Sequence, residues 1–189
     1  MRKIIVFNLV SIDGYFAGIN GDIDWHNVDD EFNKFGIEQT KSFGTILFGR
    51  TTYQLFENFW PKALADPATS PDNREIAKII DDIEKIVFST SLQSVMWKNS
   101  KLFREINKDQ ILKLKEEEGG NIVLFGSGTI VQQMTNLELI EEYRLMVNPV
   151  VLSAGQPLFK DLKHPLNLQL LETREFKNGN LLLTYIPAH

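Results

Sequence analysis

Thr45-Ile46-Leu47-Phe48-Gly49-Arg50-Thr51-Thr52-Tyr53-Gln54-Leu55-Phe56 is the stretch on which the fold turns. A short apolar run ends in Gly49, Arg50 and two threonines follow, and apolar residues then recur at helical spacing. The pattern predicts a strand feeding directly into a helix N-terminus. Such an N-terminus presents unpaired backbone N–H groups and a partial positive charge, which suits an anion, above all a phosphate. Gly49 lets a ligand approach the backbone closely. The competing reading is an ordinary strand–helix joint in which Thr51 or Thr52 caps the helix. The stretch alone leaves both open.

Working outward, the same pattern returns. Asn121-Ile122-Val123-Leu124-Phe125 reads as a buried strand, ends in Gly126-Ser127-Gly128-Thr129, and opens a helix through Ile130 to Met134. Gly-Ser-Gly falls short of the full dinucleotide fingerprint. Lys85 to Phe88 reads as a strand that ends in the hydroxyls of Ser89-Thr90-Ser91. Lys3 to Val10 reads as a first strand, followed by a loop to Trp25 that carries Gly14, Gly18 and Gly21 and suits a mobile lid.

Helices are expected over Asn27–Phe43, from Arg50 to about Trp60-Pro61, over Asn73–Asp82 and over Lys108–Glu118. Asn27 or Asp29 caps the first, with Phe32, Phe35, Ile37 and Thr40 on its inner face. Tyr143–Leu152, Leu168–Phe176 and Leu181–Ile186 complete the strands, with Lys177–Asn180 as a hairpin turn. Alternating strands and helices followed by terminal strands predict one α/β domain over 1–189. Its sheet is mixed but mostly parallel, with helices on both faces and a C-terminal antiparallel hairpin. Four glycine- and hydroxyl-rich loops then share the carboxyl edge of that sheet, where open α/β sheets bind ligands.

Composition removes several chemistries. The chain has no cysteine, which excludes disulfides, thiolate metal sites, a cysteine nucleophile and zinc deaminase chemistry, and fits a cytoplasmic setting. A net charge of −5 argues against nucleic acid as a partner, and no apolar run is long enough to place the chain in a membrane. There is no nucleophile elbow for a serine hydrolase, and the aspartates between Asp22 and Asp30 lack the spacing of a calcium loop. His26, His164 and His189 read as surface histidines, and no metal site is expected.

The order of these motifs resembles the dihydrofolate-reductase superfamily. More closely, it resembles the C-terminal reductase domain of the riboflavin-biosynthesis deaminase–reductase. The matching stretches are Ser11–Gly18, Gly21–Trp25, Phe48–Tyr53, Ser89-Thr90, Gly126-Ser127-Gly128, Glu142-Tyr143-Arg144, Asn148–Leu152 and Pro157-Leu158-Phe159. The resemblance implies a three-layer fold and an NADPH-dependent reductase. Gly49, Arg50, Thr51 and Thr52 would hold the cofactor's phosphates, with Arg50 at the 2′-phosphate. Ser89 and Thr90 would line the adenosine side. Phe125, Gly126, Ser127, Gly128, Thr129 and Ile130 would cradle the pyrophosphate, and Ala17 and Gly18 would lie against the nicotinamide.

The substrate it implies is a small pyrimidine- or pterin-like molecule, with a phosphoribosylaminouracil as the family-level assignment and homodimers common in the family. Dihydrofolate reduction and a non-catalytic nucleotide-binding role are the alternatives. The five-residue step from Trp25 to Asp30 is similar to the spacing of the folate-site acid in dihydrofolate reductases, and the resemblance implies Asp30, beside Trp25, as the candidate for polarising a substrate ring. Trp25, Tyr53 and Phe56 are the candidate substrate wall.

Overall fold

The computed structural model describes residues 1–188. In chain order the elements are β1 (Ile4–Ser11), β2 (Tyr15–Ala17), α1 (Asp30–Lys41), β3 (Phe43–Gly49) and α2 (Arg50–Ala65). Next come α3 (Pro71–Asp82), β4 (Glu84–Phe88), β5 (Ser100–Phe103), α4 (Lys108–Glu116) and β6 (Asn121–Phe125). The last are α5 (Gly128–Asn136), β7 (Glu142–Asn148), β8 (Gln156–Pro157), β9 (Leu168–Glu175) and β10 (Leu181–Pro187).

The strands form an eight-stranded sheet in the order β5-β4-β3-β6-β1-β7-β10-β9. It is parallel from β5 to β7, and β10 runs antiparallel to both of its neighbours. Successive residues of a strand face opposite sides, and in a sheet covered on both sides both sets must be apolar. β1 shows the consequence. Ile4 and Val6 pack with Ile111, Leu114, Val131 and Met134 of α4 and α5, whereas Ile5 and Phe7 pack with Phe35, Ile76 and Ile80 of α1 and α3. The result is the expected three-layer, dihydrofolate-reductase-like architecture with a terminal antiparallel hairpin.

Two local features differ from expectation. α2 does not stop at Pro61 but continues to Ala65. Proline removes one helical donor and normally ends a helix. The C-terminal end beyond the proline is held from outside: Arg74 of α3 donates to the carbonyl oxygens of Leu64 and of Asp66, the residue after the helix, at 3.5 and 2.7 Å. The glycine-rich loop after β1 is also not free of structure. Its segment β2 pairs antiparallel with β8, and the Leu158 N–H donates to the Gly14 carbonyl at 3.1 Å. Among the described residues, no helix is long and apolar enough to cross a membrane.

Topology positions the site. β6 lies between β3 and β1, so the joints that launch α2 and α5 leave adjacent strands at the same sheet edge. β4 brings Ser89–Ser91 to that edge on one side, and β1 brings Asn8 on the other.

Candidate active site

A cleft of about 1380 Å³ opens at this edge. Its floor is the pair of helix N-termini. The residue before α2 is Gly49 and the residue before α5 is Ser127, and neither helix receives a capping hydrogen bond from that residue's side chain. Thr51 and Thr52 fall inside α2, so the capping role open to them in the sequence is not the one they take.

Ser127 instead ties the two joints together. Its Oγ accepts from the Gly49 N–H at 2.8 Å and donates to Thr52 Oγ1 at 2.9 Å. Both Gly126 and Ser127 hold left-handed backbone, with φ of 54° and 57°. A Cβ on Gly126 would lie 2.7 Å from Thr52 Oγ1, so glycine is required there both by backbone angle and by close approach. Asn8, buried inside β1, fastens the same turn: its Oδ1 accepts from the Gly126 N–H at 2.6 Å. A polar residue inside an apolar strand needs such a partner, and this interruption of an otherwise apolar run is the sequence signal that marks Asn8.

Arg50 stands exposed at the first position of α2 and donates through Nη1 to Ser91 Oγ at 3.0 Å. Ser89 lines the cleft, but its Oγ accepts from the N–H groups of Ser91 and Leu92, at 3.2 and 3.0 Å, and so shapes the turn. Thr90 is exposed on the same rim. Arg104, just beyond β5, also reaches the rim and donates to the carbonyls of Ser89 and Leu92. Its only signal in the sequence is a basic residue after a short edge strand. Thr51, Thr52, Gly128, Thr129 and Ile130 complete this half of the lining.

The structure also brings Ala17, Phe56 and Phe125 to the cleft, and the Phe56 and Phe125 rings stack with centroids 5.6 Å apart. It does not bring in four other expected residues. Gly18 is buried behind the lining, where its N–H donates to the Asp22 carbonyl at 2.9 Å and a Cβ would strike the Asp22 carboxylate. Trp25 also lies off the lining, with its indole donating to the Asp22 carbonyl at 3.2 Å. Tyr53 is a core residue, 1% exposed, whose hydroxyl donates to Glu57 and accepts from the Trp97 N–H. It lies one residue from Thr52 on α2, and about 100° of helical rotation turns it from the cleft into the sheet.

Asp30 is exposed at the first position of α1 and does not line the cleft. The cap of that helix is Asp29, whose carboxylate accepts from the Phe32 N–H at 2.8 Å. This choice aims Phe32, Asn33 and Gly36 at the cleft and Asp30 away from it.

His26, expected at the surface, lies on the cleft lining with its ring edge-on to Trp25. Its Nε2 is buried without a hydrogen-bond partner. Burial pushes its pKa down to about 4, with a carbonyl contact to Phe16 opposing part of that shift, so the ring is neutral near pH 7. The loop that carries it is polar in sequence, and only tertiary packing buries it. His189 lies outside the described residues.

A family model, RibD C-terminal domain, matches residues 2–182. The uncharacterized protein YyaP of Bacillus subtilis (strain 168) is 34% identical over 97% of this chain and 94% of its own length. YwjB from the same organism is also uncharacterized and is 29% identical over 99% of both chains. Among solved structures, a protein of Shewanella sp. PV-4, provisionally named for riboflavin biosynthesis, superposes with a TM-score of 0.74 at 23% identity over the whole of both chains. Dihydrofolate reductase from Enterococcus faecalis, complexed with NADP(H) and RAB-propyl, superposes with a TM-score of 0.64 at 13% identity, covering 99% of this chain and 97% of that one. These two likenesses bear on the fold, and the family match bears on descent. With its motifs in order along the same sheet edge, the chain belongs to the RibD C-terminal domain family, a family of RibD-type reductases.

Proposed function

We infer that this protein is an NADPH-dependent reductase that delivers hydride to a pyrimidine- or pterin-like substrate. One observation carries the reading: α2 and α5 point uncapped N-termini into one cleft, with Arg50 on its rim. Open N–H groups in adjacent helices fit a pyrophosphate, and a guanidinium at the rim fits the additional 2′-phosphate that distinguishes NADPH from NADH. Gly49, Gly126 and Gly128 allow close packing where the two helices start: a Cβ there would lie 3.2 Å from Ser127 Oγ, 2.7 Å from Thr52 Oγ1 and 2.9 Å from the Phe16 ring, respectively.

Bound there, NADPH would supply a hydride to a C=N or C=O of the substrate, and water would supply the accompanying proton. The chain contributes position and exclusion of water. Thr51, Thr52, Gly128 and Thr129 would hold phosphate oxygens, Ala17 would roof the nicotinamide side, and Phe56 stacked on Phe125 would wall the acceptor. A phosphoribosylaminouracil, the family-level substrate, is the reference acceptor. The dihydrofolate alternative loses its acid. Among the described residues, the carboxylates on the lining are Glu105 and Asp161, neither of them on α1.

Quenching of tryptophan fluorescence tests the cofactor. NADPH should bind with a Kd of roughly micromolar order and NADH at least about tenfold more weakly, the step that one charge-assisted contact provides. No saturable binding of NADPH below millimolar concentration would overturn the reading.

A further inference from the structure

We propose that the acceptor this cleft takes is a neutral, phosphate-free ring carrying an apolar or aromatic substituent. The inference rests on the reductase reading above and narrows its substrate class. It comes from the charge asymmetry of the lining.

Among the described residues, the lysines and arginines on the lining are Arg50, Arg104 and Lys160. Each belongs to the half that grips phosphate. Arg50 bonds to Ser91, and Arg104 bonds to the carbonyls of Ser89 and Leu92. Lys160 adjoins Asp161, whose carbonyl accepts from Gln132 of α5 at 2.8 Å.

The other half lies between α1, α2 and α3 and is of a different kind. Val28, Phe32, Leu55, Phe59, Trp60 and Ile76 line it. Three of these are large apolar side chains left open at the mouth: Val28 is 49% exposed, Leu55 46% and Phe59 52%. Among the described residues, no lysine, arginine, aspartate or glutamate of these helices faces the cleft apart from Arg50.

Lys34, Lys62 and Lys78 of these helices lie off the lining, and other nearby cations are committed elsewhere. Arg74 donates to the carbonyls of Leu64, Asp66 and Thr69. Lys41 pairs with Glu75 at 2.7 Å, and Arg144 is held by Glu142 and Gln39. The helix ends offer no substitute. α1 and α3 are capped by Asp29 and Ser70, and their first turns carry Asp30, Glu31 and Asp72. A phosphate placed here would lose its hydration without gaining a charged partner on the lining.

What this half does offer is uncharged. Among the described residues, Asn33 and Asn73 line the cleft, and their only hydrogen bonds beyond those inside the helices are made by backbone N–H groups, which leaves their side-chain amides unpaired. An amide presents a donor and an acceptor side by side, which matches the lactam edge of a neutral ring. The stacked Phe56 and Phe125 match its face, and Leu55 and Phe59 match an apolar substituent at the mouth.

The test uses the full chain saturated with NADP+, read by calorimetry with three uracil probes. They are 5-amino-6-(ribosylamino)uracil, its 5′-phosphate, and 6-(benzylamino)uracil. The ribosyl compound should bind at least as tightly as its phosphate, and the benzyl compound about tenfold more tightly than either, as burial of one ring allows. Phe59→Ala should remove about tenfold of the benzyl compound's affinity while leaving that of NADP+ unchanged. Phe59→Lys should turn the ranking toward the phosphate. Tighter binding of the phosphate by the unaltered protein would overturn the proposal, and so would binding of none of the three by protein that does bind NADP+. Failure to bind NADP+ at all would appear in the first titration and would remove the reductase reading itself.

Discussion

Among the described residues, three of the five helices close their own N-termini and two do not. α1 is capped by Asp29, α3 by Ser70 and α4 by Asn107, each accepting from a backbone N–H three residues on. α2 and α5 begin instead at Gly49 and Ser127, with no such bond. A cap contributes about 1 kcal/mol, so leaving it out has a cost that local folding does not recover. The capped helices use a donor for stability, and the two open ones start without such a bond at the lining of the cleft. The difference separates the cleft end of the molecule from the rest without reference to any relative.

Acid sets the conditions for testing that contrast. His26 has a pKa near 4 in the folded chain, against about 6.5 when unfolded. The unfolded chain therefore binds the proton first, and the stability from this group, present above pH 6.5, is lost as pH falls toward 4. The loss should reach about 3 kcal/mol, followed by denaturant unfolding across that range, and His26→Gln should flatten it. Binding comparisons accordingly belong above pH 6.5. An unchanged profile in the variant would show that the histidine is not buried as described.

At neutral pH the strongest perturbation should be Gly126→Val. It places a branched side chain against Thr52 at a left-handed position. It should cost roughly 2–3 kcal/mol of stability and weaken NADPH about a hundredfold. Arg50→Ala should weaken NADPH by about tenfold to a hundredfold and leave NADH almost unchanged. Equal losses for the two nucleotides would move the 2′-phosphate elsewhere. Ser127→Ala strands the Gly49 N–H and should lower stability by about 1–2 kcal/mol, with a severalfold loss of NADPH affinity. Asp29→Ala closes the series, with a loss of about 1 kcal/mol of stability and no change in NADPH affinity. A cofactor effect from that substitution would break the division between capped and open helices.

The sheet was readable because β1, β3 and β6 are short apolar runs buried on both faces, and because glycine sits where two of them turn into helices. The half of the cleft built on the starts of α2 and α5 followed from those joints. The acceptor half did not, for geometric reasons. Asn27 and Asp29 are both good caps in sequence, yet the choice of Asp29 sets the phase that turns Phe32, Asn33 and Gly36 to the cleft and Asp30 away from it. Tyr53 and Phe56 are both aromatic positions on α2, and only the helix rotation separates the core residue from the wall. β2 and β8 escaped notice because a pairing this short carries no periodicity. His26 and Arg104 act through contacts between segments distant in the chain, which local patterns do not record.

The clip between β2 and β8 has a consequence in time rather than in structure. It joins segments about 140 residues apart through a few backbone pairs, while the loop that it anchors contributes little to either apolar core. Such a contact opens locally at much lower free energy than the sheet beneath it. Amide protons of residues 15–17 should therefore exchange with solvent while those of β1, only a few residues earlier, remain protected until the whole domain unfolds. The roof of the cleft can thus lift on its own clock, and ligand can come and go without disturbing the sheet that positions it.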